Sequence, residues 1–331
     1  MSRRLSFVLS AALLATVVVA PQAHADTTIT DLGGIPGATS NWALAVNELG
    51  VAVGGSGYSD GRTDRPVKFD GQGGSAEFAG PADARTSVKA VNRSGAAVGT
   101  TSGPSTGTRA VRFNADGSYA VLSVPFGFEN SLGLAIDDRG TTYGIATNSN
   151  NQQIPVRWRP NGVLNAMKMP TGATWAYVSD AAANGYVAGY VSGPGLPTTA
   201  VRWNPDNTVT VLARLADGAV TTAQAVNQVG EVAGNANSAN DEATFGVRWN
   251  TDGSVTNFGQ GSLPKGINEH GVVVGSYYVG ADQHPFRWDR YGTKLELGYP
   301  DGVTSAAALD INSDGVIVGW AGARAVKWVV G

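Results

Sequence analysis

The chain has 331 residues and a formal net charge of −3, with 45 glycines and no cysteine. The lack of cysteine excludes disulfides, thiolate chemistry and cysteine-ligated zinc. No block of lysine and arginine occurs, so neither nucleic acids nor anionic membranes are expected as partners. Only 15% of the residues are charged, and together with the many glycines this composition indicates tight turns rather than a helical bundle.

Residues 1–25 have the three parts of a secretion signal peptide. Arg3 and Arg4 give a positive start, an apolar run covers residues 5–20, and a small-x-small cleavage site ends at Ala25. The apolar run is shorter than a membrane-spanning helix requires, which favours cleavage and export over anchoring. The product is predicted to be extracellular, and the export route stays open between the general and the twin-arginine pathway.

The predicted mature chain is a single domain of residues 26–331, with 21 basic and 26 acidic residues and a net charge of −5. Two glycines four residues apart recur in it seven times, at intervals of 41 to 45 residues. Such a period indicates a repeat architecture, because one unit of this size cannot bury its own apolar face. The pairs are Gly50/Gly54, Gly95/Gly99, Gly140/Gly144, Gly185/Gly189, Gly230/Gly234, Gly271/Gly275 and Gly315/Gly319.

Each unit reads as four short antiparallel strands. In the second unit we predict strands at residues 88–91, 96–100, 110–113 and 119–122, because these runs are rich in valine and aromatic residues. N-R-S-G joins the first two strands and N-A-D-G joins the last two, and both runs have the chemistry of tight hairpin turns. Four such strands in about 44 residues are the blade of a β-propeller. The sequence therefore predicts an all-β, seven-bladed propeller.

The two ends of the chain are predicted to share one blade. The seventh unit stops after its third strand at residues 325–328, whereas residues 28–32 resemble the fourth strands of other units. The N-terminal strand would then complete the last blade. Closure of the ring removes the open sheet edges that would otherwise template aggregation.

Residues that recur in every unit are interpreted as structural, because a catalytic centre needs only one copy. The turn asparagines (Asn47, Asn92, Asn227, Asn268 and Asn312) are expected to satisfy backbone groups, with Asp137 and Ala182 as variants. A basic residue followed by an aromatic also recurs, as in Arg202-Trp203. We expect the aromatic to pack between blades and the cation to lie at the outer face.

A resemblance to a known family follows from the repeat. D-L-G-G at residues 31–34 and A-L-A-V-N-E-L-G-V-A-V-G at residues 43–54 are similar to the exported bacterial repeats called the HAF family. The closest copies are I-N-E-H-G-V-V-V-G at residues 267–275 and H-P-F-R-W at residues 284–288. Most units depart from the H-A-F motif. The resemblance covers nearly the whole mature chain and implies an extracellular role, but it brings no defined reaction or ligand.

The predicted mature chain contains few residues or motifs that are typical of a catalytic site. Its only histidines, His270 and His284, flank one predicted strand, and a strand of about six residues spans roughly 20 Å. We therefore interpret them as separate loop histidines. No nucleophile elbow, HExxH helix or phosphate-binding glycine loop is present. No cofactor and no metal site are expected.

The variable loops after the second and fourth strands of each blade are predicted to lie on one rim, opposite the tight turns. Binding residues concentrate on loops that a rigid scaffold displays. Exposed aromatics there would stack on sugars or anchor a protein partner, although each side chain could instead cap the end of a blade. The candidates nearest the innermost strands are Trp42, Phe126, Phe128, Trp175, Tyr177 and Tyr299; those further out are Tyr58, Tyr190, Tyr277, Tyr278 and Trp320.

Four charged residues fall on the predicted innermost strands. Asp180 and Asp310 replace the small residue found at that position in other units, and Lys89 and Lys265 lie one position earlier in their own strands. Such groups could line a ligand channel or a carboxylate-based active site, or they could bind water in a central tunnel.

The sequence favours a secreted, monomeric binding protein that recognises a glycan or an extracellular protein through the variable-loop rim. The alternative is a secreted lyase, hydrolase or cyclase that uses carboxylates and aromatics at the same rim. The absence of a histidine-centred site favours binding over catalysis.

Overall fold

The computed structural model describes residues 26–60, 63–215, 220–238 and 242–331. These residues form seven four-stranded antiparallel sheets. In six of the sheets the strands follow chain order from the innermost to the outermost. The predicted seven-bladed β-propeller is therefore confirmed, whereas the predicted signal peptide lies outside the described residues.

The strand bounds show one blade after another along the chain. The strands of the N-terminal half are β1 (Thr27–Asp31), β2 (Ser40–Val46), β3 (Ala52–Gly57), β4 (Arg65–Phe69), β5 (Ser75–Glu77), β6 (Arg85–Val91), β7 (Ala97–Gly103), β8 (Gly107–Phe113), β9 (Tyr119–Val121), β10 (Asn130–Ile136), β11 (Thr142–Thr147), β12 (Gln153–Trp158) and β13 (Leu164–Ala166). Those of the C-terminal half are β14 (Trp175–Ala181), β15 (Val187–Gly193), β16 (Leu196–Trp203), β17 (Val209–Val211), β18 (Thr221–Val226), β19 (Val232–Asn237), β20 (Thr244–Trp249), β21 (Val255–Gln260), β22 (Ser262–Ile267), β23 (Val273–Val279), β24 (Asp282–Trp288), β25 (Lys294–Glu296), β26 (Ala306–Ile311), β27 (Ile317–Ala321) and β28 (Arg324–Val330).

The ring closes through the N-terminal strand, as predicted. β1 pairs with β28 from Thr27 opposite Val330 to Asp31 opposite Val326, and the last sheet has the order β1-β28-β27-β26. The two ends of the chain thus lie in the same blade. Closure leaves no blade without neighbours on both sides, so the sheets bury both of their faces.

The core is divided into seven apolar clusters, one between each pair of neighbouring blades. Each cluster contains the aromatic residue of a repeated basic-aromatic pair, and its side chain is at most 3% exposed. Indole nitrogens also bridge blades, since Trp203 Nε1 donates to the Lys168 carbonyl and Trp249 Nε1 to the Ala213 carbonyl. The prediction that these aromatics pack between blades is confirmed. They are Phe69, Phe113, Trp158, Trp203, Trp249, Trp288 and Trp328.

The sequence predicted that the cations of the same pairs lie at the outer face. The structure shows that Arg248 and Lys327 instead bond to the neighbouring blade. Arg248 is only 5% exposed, and its guanidinium donates to the carbonyls of Gly271 at 2.7 Å and Arg290 at 2.9 Å in the next blade. Lys327 Nζ likewise donates to the Gly71 carbonyl at 2.8 Å. Carbonyls of tight turns accept these bonds, so Arg248 and Lys327 join neighbouring blades.

The turn asparagines form a second, hydrogen-bonded ring, which we call the asparagine belt (Asn47, Asn92, Asn227, Asn268 and Asn312). The Nδ2 of each donates to the backbone carbonyl of the matching residue in the next blade at 2.9–3.1 Å. The Oδ1 accepts from amides of its own turn, as Asn268 does from Val272. The belt is interrupted only where Asp137 and Ala182 replace asparagine, and its structural interpretation is confirmed.

Within the described residues no helix is long and apolar enough to cross a membrane.

Candidate functional site at the central channel

Every innermost strand contains a β-bulge at the same position. In blade 1 the pairing of β2 with β3 shifts between Ala43 and Ala45, and the equivalent shift occurs in all seven blades. The second glycine of each repeated pair lies opposite the bulge, where a Cβ would overlap a carbonyl oxygen of the inner strand. The repeated glycine is therefore the residue that allows the inner strand to bulge.

The seven bulged residues line one cavity of about 210 Å³ in the central channel. A bulge inserts an unpaired residue and re-aims side chains, so two successive residues of an inner strand can both face the channel. We call the seven residues the bulge ring. It consists of Leu44, Lys89, Leu134, Ser179, Gln224, Lys265 and Leu309.

The structure brings together all four charged residues predicted on the inner strands, because Lys89, Lys265, Asp180 and Asp310 line this same cavity. A second cavity, of about 110 Å³ on the side of the asparagine belt, shares Asp180 and Asp310 with the first. The four residues therefore line a central channel, which every alternative drawn from the sequence requires. The carboxyl groups line both cavities and the amines only the first, so the two amines lie farther from the asparagine belt than the two carboxyl groups do.

The two lysines are accessible to solvent but have no protein partner. Among the described residues, neither amine donates a hydrogen bond or forms an ion pair. Desolvation by the channel wall lowers the pKa of Lys89, while the charge of Asp180 acts in the opposite sense. Desolvation and then the charge of Lys89 lower the pKa of Lys265. Both amines line the same cavity, and the charge of Lys89 disfavours a second positive charge on Lys265.

The two aspartates are anchored to the backbone of the following blade. Asp180 Oδ2 accepts from the Val226 amide at 2.9 Å, and Asp310 Oδ2 accepts from the Val46 amide at 2.8 Å. Burial raises the pKa of both carboxyl groups. For Asp310 the pKa rises to about 7, with the charge of Asp180 as the next cause. Asp310 can therefore change its protonation near neutral pH.

Three aromatic rings form a cluster where β14 and β15 approach the variable-loop rim. The ring centroids of Tyr177 and Tyr190 are 5.4 Å apart at an interplanar angle of 25°. Trp175 lies 5.8 Å from Tyr190 and 6.4 Å from Tyr177. All three side chains are half-buried. Because β14 also carries Ser179 and Asp180, one strand links this aromatic cluster to the channel.

The other predicted rim aromatics are not part of that cluster. Trp42 is half-buried, with its ring against Gly55 of its own blade. Phe128 packs on the core between blades 2 and 3, and Tyr299 on the core between blades 6 and 7. Phe126, in contrast, is fully exposed. Two of these candidates therefore cap blade ends, and Phe126 alone of the four projects freely into solvent.

The structure keeps the two mature-chain histidines apart. His270 lies in the turn before β23, whereas His284 pairs with Tyr277 near the other end of that strand. The His284 ring packs at 5.4 Å from Tyr277 and 5.8 Å from Tyr299. In the described part of the chain, no three histidine or carboxylate side chains are grouped so that they could hold a metal ion.

Sequence reasoning missed the uncharged members of the bulge ring, notably Ser179 and Gln224. A signal for them was present, since every bulge-ring residue lies six positions before the first glycine of its unit. Residue type varies at this position from leucine to lysine, serine and glutamine, whereas the next position carries mainly alanine.

No known protein-family model matches the chain, and no curated protein matches its sequence. Solved structures do resemble it. A streptogramin B lyase aligns with a TM-score of 0.57 at 12% identity, over 92% of this chain and 98% of the lyase. The virginiamycin B lyase of Staphylococcus aureus aligns with a TM-score of 0.59 at 14% identity, over 92% of this chain and 100% of that one.

A puromycin hydrolase also aligns, with a TM-score of 0.59 at 12% identity, over 91% of this chain and 55% of the hydrolase. At such low identity these likenesses concern the fold alone. The class of protein is therefore a seven-bladed β-propeller, and its function has to be argued from its own side chains.

Proposed function

We propose that the protein is a secreted binding protein that holds a carbohydrate on the aromatic cluster of Trp175, Tyr177 and Tyr190. The observation that carries this proposal is the spacing of the three half-buried rings, 5.4–6.4 Å between centroids. Large, rigid rings with polar tips offer apolar faces for stacking and hydroxyl or indole groups for hydrogen bonds. Carbohydrates present the complementary combination of C–H faces and hydroxyl groups.

Export is part of the proposal and rests on the signal-peptide pattern of residues 1–25. The resemblance of the repeats to the exported HAF family supports it. The closed ring supports it as well, because a chain without disulfides gains resistance outside the cell from the absence of open sheet edges.

The test is to titrate the purified protein with a panel of oligosaccharides and to repeat the titration with Trp175→Ala. A central aromatic anchor contributes about 2 kcal/mol or more to binding, so the affinity should fall about thirtyfold. Tyr291→Ala is the matched control, because Tyr291 is 88% exposed and lies in a turn on the opposite rim. Equal affinities of Trp175→Ala and the unsubstituted protein, or binding of proteins but of no oligosaccharide, would contradict the proposal.

A second candidate function is a lyase or hydrolase activity in the central channel. The observation that favours it is the carboxyl group of Asp310, which lines the cavity and whose pKa of about 7 suits general acid–base catalysis at neutral pH. Incubation with the bound oligosaccharide would then release new chain ends. Asp310→Asn should abolish that release, whereas a binding protein releases none with either chain.

A further inference from the structure

The bulge ring holds two positive charges that the protein itself does not pair. Lys89 and Lys265 face the same cavity, and neither amine has a hydrogen-bond or ion-pair partner within the described part of the chain. Placing two ammonium groups in one confined channel costs free energy, because each is partly desolvated and each repels the other. An oxyanion between them would relieve both costs.

The carboxyl groups of the channel are already engaged elsewhere. Asp310 accepts from the amides of Val46 and Ile311, each at 2.8 Å, and Asp180 accepts from the Val226 amide at 2.9 Å. Neither carboxylate pairs directly with a lysine. The aspartates therefore hold neighbouring blades together. The charge of Asp180 attracts Lys89 across the channel, but neither amine donates a hydrogen bond to a carboxylate.

A third group of the ring is independently short of a partner. The Ser179 hydroxyl is buried and has no hydrogen-bond partner among the described residues. A buried polar group without a partner costs about 1–3 kcal/mol, and because the Ser179 Oγ has almost no exposed surface, a ligand in the channel reaches it only after the side chain rotates. Ser179 belongs to β14, the strand that also carries Trp175 and Tyr177. Ser179 therefore lies on the strand that joins the bulge ring to the aromatic cluster.

We infer that the bulge ring binds an oxyanion, the carboxylate of an acidic sugar, between the amines of Lys89 and Lys265. This inference rests on the proposed function, since the sugar that carries the carboxylate is the one held on the aromatic cluster. The cavity volume of about 210 Å³ is below the roughly 300 Å³ of ordinary ligand pockets. It therefore suits one charged end of a ligand whose remaining part lies over the rim.

The experiment is isothermal titration of the purified protein with three probes, namely glucuronate, inorganic phosphate and the neutral sugar glucose. Each probe is also titrated into the double variant Lys89→Gln/Lys265→Gln. Lys168→Gln is the matched control, because Lys168 is an exposed lysine outside the channel. Thermal unfolding of every variant verifies that the fold is kept, and removal of two repelling charges should not lower the melting temperature.

Glucuronate should bind more tightly than glucose, and the double variant should lose about tenfold or more of that affinity, or 1.4 kcal/mol. The Lys168→Gln control should bind as the unsubstituted protein does. Glucuronate affinity that survives in the double variant, or glucose that binds as tightly as glucuronate, would overturn the inference. So would the failure of both anions to bind at about 10 mM, ten times the dissociation constant of a millimolar site.

The probes also separate this inference from the proposed function. Phosphate that binds as tightly as glucuronate, with no effect of Trp175→Ala on either, would support an oxyanion site but count against a carbohydrate ligand. Neutral oligosaccharides that bind through Trp175, with no effect of the lysine substitutions, would leave the carbohydrate-binding function standing and remove the oxyanion site.

Discussion

The asparagine belt and the bulge ring both circle the same channel, yet they treat the seven blades in opposite ways. In the belt the same side chain makes the same bond to the next blade five times, from Asn47 through Asn312. In the bulge ring the backbone geometry repeats in every blade, but the side chains are three leucines, two lysines, a serine and a glutamine.

The difference shows how a repeat protein separates stability from function. Where a side chain is needed to hold the next blade, the same residue type recurs, and a change would break a buried hydrogen bond. Where the backbone alone sets the geometry, the side chain is free to differ. The bulge ring has this freedom because a glycine on β3 and its equivalents, rather than the bulged residue, allows the bulge to form.

The largest expected effect comes from Gly54→Ala, which would break the backbone geometry on which the bulge ring depends. A Cβ at this position would overlap the Trp42 carbonyl oxygen, so either β2 or β3 has to move. We expect a loss of about 3 kcal/mol or more in the free energy of unfolding, measured by urea denaturation.

Gly50→Ala in the same hairpin is the control for Gly54→Ala. Gly50 has a φ of +76° and open space around its Cβ position, so alanine there costs only the strain of the left-handed conformation, about 1–2 kcal/mol. If the two substitutions destabilise equally, steric overlap at the bulge is not what the second glycine prevents.

A smaller but clear effect is expected from Asn268→Ala in the belt. Asn268 donates to the Asn312 carbonyl at 3.1 Å and accepts from the amides of His270 and Val272. Its removal leaves buried backbone groups without partners, and the free energy of unfolding should fall by about 2–3 kcal/mol. Lys265→Gln, in the bulge ring of the same blade, should change it by less than about 0.5 kcal/mol. A larger loss from the lysine than from the asparagine would reverse the assignment of the two rings.

Much of the fold could be predicted from the sequence because the repeat carries its own signals. The glycine period gave the number of blades, and the unpaired strand at residues 28–32 gave the closure. Both are local patterns, repeated often enough to be read without long-range contacts. The aromatic of each basic-aromatic pair was likewise assigned correctly, since a large side chain repeated in every blade has to pack in the interfaces.

The site was less predictable, for two physical reasons. In a regular strand, neighbouring side chains face opposite ways, so the sequence offered no reason why Lys89 and Asp180, at successive positions of the repeat, should both line the channel. The bulge supplies that reason. The exposure of rim aromatics depends on loop conformation, which is why Phe126 and Phe128, two positions apart, proved to be exposed and packed, respectively. The positions of Arg248 and Lys327 were wrong for a similar reason, because their partners are carbonyls of the following blade.

The smallest expected effect is a pH dependence at Asp310. Its carboxyl group lines both the cavity of the bulge ring and the cavity beside the asparagine belt, so it sharpens the comparison of the two rings. Burial and the charge of Asp180 raise the pKa of Asp310 to about 7, with a smaller contribution from Glu48. Above that pH the carboxylate adds a negative charge to the cavity that Lys89 and Lys265 share, and below it the group is neutral. Oxyanion affinity should therefore increase as the pH falls, by about fivefold between pH 8 and pH 6.

The raised pKa of Asp310 also affects folding stability. The folded state binds a proton that the unfolded chain releases, so this group contributes stability at acid pH that is lost as the pH rises through 7.

Titration of glucuronate at several pH values measures this dependence, and Asp310→Asn identifies its source. The asparagine keeps an oxygen for the Val46 amide but cannot ionise, so its affinity profile should be flat through pH 7. A profile that keeps its slope in Asp310→Asn would place the titrating group elsewhere in the channel, with Asp180 as the next carboxyl group to substitute. An affinity that rises with pH in the unsubstituted protein would contradict the oxyanion site itself, because deprotonation can only make the channel less attractive to an anion.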